Sequence, residues 1–401
     1  MPGTAEYIAP DNPKDLRNPG MRVLFISHVS IGENLYGAAQ SLVYLIKGLR
    51  EKGVEPFVIL PGDGSHLESL DPPVKYRSLP FNKWAKGQRS LVKRILNTLS
   101  QPVFALLAAA WALIWRVDIV YTNSITTPLG ALVAFLIRKP HLLHIREFGW
   151  EDYRLRYDLG ETFSVRLLDR LSDQVIVISN ALKEKYLRYF PPTKMHVIYN
   201  PVSVEGLDQG RIVSPDLADS EHPLVIIVGR VHPAKGQEEA VRAAAELAER
   251  DQVVCLWIVG GGEEEYLEEL QELVRALGVE EHVHFAGYRI DALQLMAAAD
   301  LCLVCSRAEA FGRVTAEAML VKTPVVGALS GATPELIRDR QEGLLYEPGD
   351  HHDLACKIEY IIQHPEEAQQ MGERGFQRAS RLFTVKRYSD RIYSLLKELI
   401  E

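Results

Sequence analysis

A chain of 401 residues that is 47% apolar and carries a formal charge of −8 has the length for two cores, and its acidic balance argues against a nucleic-acid protein. Four cysteines are too few for a disulfide framework, so a reducing, cytoplasmic setting is the expectation. Cys302 and Cys305 stand three apart in a strand-like run, which puts them on opposite faces and argues against joint metal ligation.

Residues 1–20, with Pro2, Pro10, Pro13 and Pro19, read as a flexible polar tail without a secretory pattern. Arg22–Ser27 opens the fold as a buried strand, and a loop containing Gly32 and Gly37 leads to a helix over Ala39–Arg50. Strands recur at Pro56–Leu60, Asp118–Tyr121, His141–Ile145 and Gln174–Ile178, separated by helix-length segments. Such alternation, with near-continuous apolar strands, predicts a parallel sheet covered on both faces over 21–200. Residues 81–116 combine Lys83, Lys86, Arg89, Lys93 and Arg94 with an apolar run from Pro102 to Trp115. That run is shorter than the roughly 20 residues of a membrane span. A core helix with a solvated basic start is the ordinary reading; peripheral contact with anionic lipid, at the inner face of a membrane, is the alternative.

Residues 201–222 lose periodicity and gather Pro201, Gly206, Gly210 and Pro215, as a linker would. A second series follows over 223–384, with strands at Leu224–Val228, Val253–Val259, Val283–Ala286, Leu301–Cys305 and Pro324–Ala328. The predicted class is therefore α/β: two facing Rossmann-like domains with parallel sheets and a cleft between them. A last helix, 385–401, is expected to cross back and brace the first domain.

Chemistry concentrates at strand ends of the second series. Gly229-Arg-Val-His-Pro-Ala-Lys-Gly236 follows its first strand and precedes a helix, so Arg230 and Lys235 could meet a diphosphate there. The alternative is two surface cations at a helix start, where the helix dipole disfavours them. Glu309 and Glu317 bracket a turn at Phe311-Gly312-Arg313, and an ionised carboxylate can accept two hydrogen bonds from a diol. Their ordinary fate would be solvated surface positions. Gly260-Gly261-Gly262 lacks the G-x-G-x-x-G spacing, because Glu265 stands where the last glycine belongs. A nicotinamide enzyme is disfavoured, whereas Gly261 could let a nucleotide approach the backbone.

The string Glu309-Ala-Phe-Gly-Arg-Val-Thr-Ala-Glu317 resembles the E-x7-E signature of the retaining glycosyltransferases of family 4, which have the GT-B fold, and Gly229–Gly236 resembles their GR-x4-KG element. The resemblance implies transfer of a hexosyl group from a nucleotide-diphosphate sugar to an acceptor hydroxyl of a carbohydrate, a lipid-linked sugar or a small molecule, with neither cofactor nor metal. It implies that Arg230 and Lys235 meet the donor diphosphate, that Glu309 holds the donor sugar and that Glu317 holds the ribose. Phe311, Gly312, Arg313 and Gly261 would line the donor. Gly287-Tyr-Arg289-Ile290 resembles the base-binding segment, Gly37 the remnant of a glycine pair facing the donor, and His144 a histidine touching the donor sugar. The rival readings are a non-catalytic sugar- or nucleotide-binding protein and a nucleotide-sugar epimerase on a similar fold.

Overall fold

The computed structural model describes residues 20–32, 35, 37–87, 89–204 and 221–401. The expected tail therefore lies outside the described residues save for Gly20, as does the middle of the expected linker, 205–220. Two parallel sheets organise the rest. The first has seven strands in the order Lys75–Ser78, Glu55–Leu60, Arg22–Ile26, Ile119–Thr122, His141–Ile145, Gln174–Val177 and Met195–Val197. The second has six: Val283–Gly287, Cys255–Val259, Leu224–Val228, Leu301–Val304, Val325–Ala328 and Leu344–Tyr346. Every pairing within the two sheets is parallel.

The central strands are buried on both faces, as helices on either side require, and this is why they read as apolar runs. Cys302 and Cys305 pack into separate cores, in keeping with the alternation of side chains along a strand. In each sheet the chain builds outward from one strand, then returns to that strand's other side. The order thus reverses between Arg22–Ile26 and Ile119–Thr122 in the first sheet, and between Leu224–Val228 and Leu301–Val304 in the second. Adjacent loops part at such a reversal, leaving a crevice beyond the carboxyl ends of the strands.

The two units are tied by the C-terminal residues. Helix Pro365–Leu382 belongs to the second unit, and after the N-cap Thr384 the chain continues as helix Val385–Glu398. That last helix packs against helix Gly37–Arg50 of the first unit, and Lys52 pairs with Asp390. Glu335 supplies a second tie: its carboxylate accepts the backbone N–H groups of Asn180 and Ala181 at 2.8 and 2.7 Å.

Helix Leu91–Ile114 runs through Pro102 and is longer than the apolar run visible in the sequence. Asn97 and Gln101 lie on its packed side, bonding Lys83 and Asn82 carbonyls at 3.0 Å each. By length and composition it would be able to cross a membrane, yet a third of its apolar window is buried against the fold.

Candidate active site

The second sheet's reversal brings the two motif loops together. The loop after Leu224–Val228 and the loop after Leu301–Val304 are stitched by an Arg307 N–H to the Ala234 carbonyl at 3.0 Å. Across that seam the Lys235 Nζ lies 2.8 Å from Glu309 Oε2. Burial alone would push the Glu309 carboxyl up; the Lys235 ammonium and hydrogen bonds from Ser306 and the Gly312 N–H outweigh it, and the group sits below its ordinary range. Glu309 is therefore an ionised acceptor at neutral pH. Its backbone is backed by the turn at Gly331, where Ala332 N–H donates to the Glu309 carbonyl at 2.8 Å. A Cβ on Gly331 would fall 2.4 Å from that carbonyl oxygen, and its φ of +52° is left-handed, so glycine is required there.

Gly312 caps helix Arg313–Leu320, and on that helix Arg313 Nε pairs with Glu317 Oε1 at 2.9 Å. Burial raises the Glu317 carboxyl despite Arg313. Arg313 Nη1 and Thr315 Oγ1, both buried, have no partner in the structure. Orphaned donors of this kind beside two carboxylates suit a polar ligand, because such groups are otherwise costly to bury. Arg230 is more open, pairing with Glu263 at 2.7 Å. Each expected phosphate-binding cation thus rests against a carboxylate, Lys235 on Glu309 and Arg230 on Glu263. Gly261 is exposed, with open space where a Cβ would stand, and so is Gly37 at the start of the first unit's helix. Arg289 is held by both oxygens of Asp291 at 2.8 Å, and Ile290 is 91% exposed beside it.

Two expectations need correction. Phe311 is buried, its ring packed against Phe383 at 5.4 Å and Tyr199 at 6.1 Å, so its side chain braces the core instead of facing a donor. His144 is wholly buried. Its Nδ1 takes a hydrogen bond from Arg146 at 3.3 Å and contacts the Tyr121 hydroxyl, while Nε2 has no partner. Burial and the neighbouring guanidinium hold it neutral. The residue lies within the strand, not beyond it, and its ring cannot reach a ligand at the strand ends.

The groups that do occupy the first sheet's carboxyl edge are Arg146 and Glu147. Arg146 is a hub, donating to Asn123 at 2.7 Å, Asn200 at 2.6 Å and the Tyr388 hydroxyl at 2.8 Å. Glu147 accepts the Ser124 hydroxyl at 2.9 Å and lies 3.6 Å from His28 Nε2. Burial pushes Glu147 up to about 7 and, with Lys83 and Arg146, holds His28 well below its usual value. His28, Ser124 and Glu147 follow three neighbouring strands, so this cluster is the first sheet's counterpart of the Lys235–Glu309 seam. The sequence signal for it is position: each residue comes just after an apolar strand. Among the described residues, no three His, Cys, Asp or Glu side chains gather to hold a metal ion.

Residues 36–205 match the family described as Glycosyltransferase Family 4, and residues 209–378 match the one described as Glycosyl transferases group 1. The chain is 32% identical over 191 residues to the lipopolysaccharide core biosynthesis glycosyltransferase LpsE of Rhizobium meliloti, covering 47% of this chain and 54% of that protein. It is 29% identical over 231 residues to the mannosylfructose-phosphate synthase of Agrobacterium fabrum, covering 56% and 50%. The chain thus spans about half the length of these curated relatives. The crystal structure of Anabaena Alr3699/HepE in complex with UDP-glucose superposes with a TM-score of 0.74 at 27% identity, over 94% of this chain and all of that one. With both halves matched in order and two open parallel sheets as described, the chain belongs to the group 1, family 4 glycosyltransferases and has their GT-B fold.

Proposed function

We propose that this chain transfers a hexosyl group, with retention of configuration, from a nucleotide-diphosphate sugar to an acceptor hydroxyl. The observation that carries the reading is the Lys235–Glu309 seam at the reversal point of the second sheet. HepE, solved with UDP and UDP-glucose, supports a nucleotide sugar as the donor class.

In this reading the diphosphate displaces Glu263 from Arg230 and shares Lys235 with Glu309. The bond from the anomeric carbon to the β-phosphate oxygen breaks, and its electron pair goes to the phosphate. Cations already in place there stabilise the growing charge in the transition state. Glu309, kept ionised by its contact with Lys235, accepts hydroxyls of the sugar; Glu317, steadied by Arg313, accepts those of the ribose. The acceptor oxygen bonds to the anomeric carbon on the face the diphosphate leaves, and its proton passes to a phosphate oxygen. No metal or cofactor enters the proposal.

Incubation with UDP-glucose and GDP-mannose, followed by assay of the free nucleoside diphosphate, tests it. Slow release from one donor, accelerated by an acceptor, is the expected result. Binding without release would make the chain a sugar-nucleotide binder, and conversion to an isomeric nucleotide sugar would make it an epimerase.

A further inference from the structure

Helix Leu91–Ile114 is turned inside out for a water-exposed element. The face it packs on the fold carries Asn97, Gln101 and four alanines, whereas ten large apolar side chains on the helix stand exposed. Leu91 and Leu99 are each 66% exposed and Ile114 is 65% exposed. A surface helix ordinarily buries its apolar stripe and shows water its polar one. The patch continues onto helix Leu129–Ile137 beside it, which ends in exposed Phe135 and then exposed Arg138 and Lys139. An apolar stripe some 36 Å long, from about 1.5 Å per residue, far exceeds scattered surface leucines.

Charge identifies the occupant. Residues 81–116 hold six lysines and arginines and no aspartate or glutamate, in a chain whose net charge is −8. Lys86 and Lys93 are exposed at the start of the patch. A second copy docking face to face would set one basic rim against another. Anionic headgroups around an acyl interior complement both the rim and the stripe.

We propose that helix Leu91–Ile114 lies flat in the surface of an anionic lipid bilayer, with its leucine face among the acyl chains and Lys86 and Lys93 at the phosphates. It lies on the bilayer without crossing it, because its other face is bonded to the fold through Asn97 and Gln101. The segment leading into it touches the first unit's strand-end cluster: Trp84 donates to the Ile125 carbonyl at 3.0 Å and to the Thr126 carbonyl at 3.0 Å. A head group carried by lipid would then arrive beside His28, Ser124 and Glu147. The inference rests on the exposed helix and not on the donor site.

Sedimentation of the full chain with vesicles of phosphatidylcholine and phosphatidylglycerol (3:1) tests it, with pure phosphatidylcholine alongside. The chain is expected to sediment with the mixed vesicles and much less with the neutral ones, and to be released by half-molar salt. Leu96→Glu with Leu99→Glu should weaken partition at least tenfold, and Lys86→Glu with Lys93→Glu should do the same at low salt. Both pairs alter exposed positions, so the circular dichroism melt should not move. Failure of the wild-type chain to bind the mixed vesicles overturns the proposal. So does a dimer in light scattering that the leucine substitutions dissociate, since the stripe would then belong to protein.

Discussion

Glu147→Gln isolates the titration of the cluster at the first sheet's carboxyl edge. Burial raises this carboxyl from 4.5 to about 7, with Asp152 adding to the rise and the Ser124 hydroxyl, Lys83 and Arg146 opposing it. A folded-state pKa above the unfolded one means that the folded chain binds the proton more tightly. The stability this contributes is fully present below 4.5 and gone once pH has risen through about 7. At about 1.36 kcal/mol per unit, the wild-type chain is under about 1 kcal/mol less stable at pH 5 than with the carboxyl held neutral, and about 3 kcal/mol less stable at pH 8.5. Glu147 is only 8% exposed, so solvent screens little of this. Glutamine keeps the shape and cannot ionise. Relative to wild type, the variant should therefore gain about 2–3 kcal/mol between pH 5 and pH 8.5, or roughly 5–10 °C in melting temperature for a unit of this size. Thermal melts of both chains at the two pH values measure it. A difference between them that does not change with pH would refute the reasoning.

At the second sheet, Glu309→Gln should lower donor turnover at least about tenfold, because an amide offers one acceptor oxygen where the carboxylate offers two; wild-type rates would remove its role. Lys235→Ala should cut turnover similarly and, by removing the charge that outweighs burial, move the acid limb of the pH–rate profile upward; an unmoved limb would show that Lys235 does not set the ionisation of Glu309. Gly331→Ala should destabilise the fold by about 1–2 kcal/mol from its left-handed backbone alone, and the displaced Glu309 loop should lose more activity than a melt would suggest. Cys356 is exposed while Cys255, Cys302 and Cys305 are buried, so a charged thiol reagent should label the native chain once and the denatured chain four times.

Much of this architecture is legible in the sequence, because strands buried on both faces announce themselves as apolar runs. Leu224–Val228 and His141–Ile145 were bounded to the residue on that ground. Edge strands were not: Lys75–Ser78 is mostly exposed and polar, and Leu344–Tyr346 has only three residues. The long helix was underread for a related reason. Asn97 and Gln101 interrupt its apolar run, and only the fold shows that they, and not the leucines, face the protein. At the site, a motif reports residues adjacent in sequence, so Glu309, Glu317 and Lys235 stand as candidates from the sequence, and the fold adds that Lys235 meets Glu309. His144 reads as a strand-end residue in the sequence, but it stands one place inside the strand. The grip of Glu335 on Asn180 spans 155 positions and leaves no local trace.

The two reversal points differ in their electrostatics, and the difference follows from what stands beside each carboxylate. Lys235 contacts Glu309 directly, so the acid remains charged even where water is largely excluded. Glu147 has a hydroxyl, a neutral histidine and the Arg146 backbone N–H for nearest partners, and the Arg146 guanidinium spends its donors on Asn123, Asn200, Tyr388 and His144. Glu147 can therefore take up or release a proton near neutral pH, and Glu309 stays charged there. A donor whose diphosphate is charged at every working pH suits the fixed-charge edge. In the proposed reaction the acceptor's proton goes to the donor phosphate, and the edge whose own carboxyl titrates near 7 is the one proposed to hold the acceptor hydroxyl beforehand. If so, Glu147→Gln should alter the KM for the acceptor and its pH dependence while leaving donor hydrolysis in the absence of acceptor unchanged. Equal losses in both reactions would place Glu147 in the scaffold and not beside the acceptor.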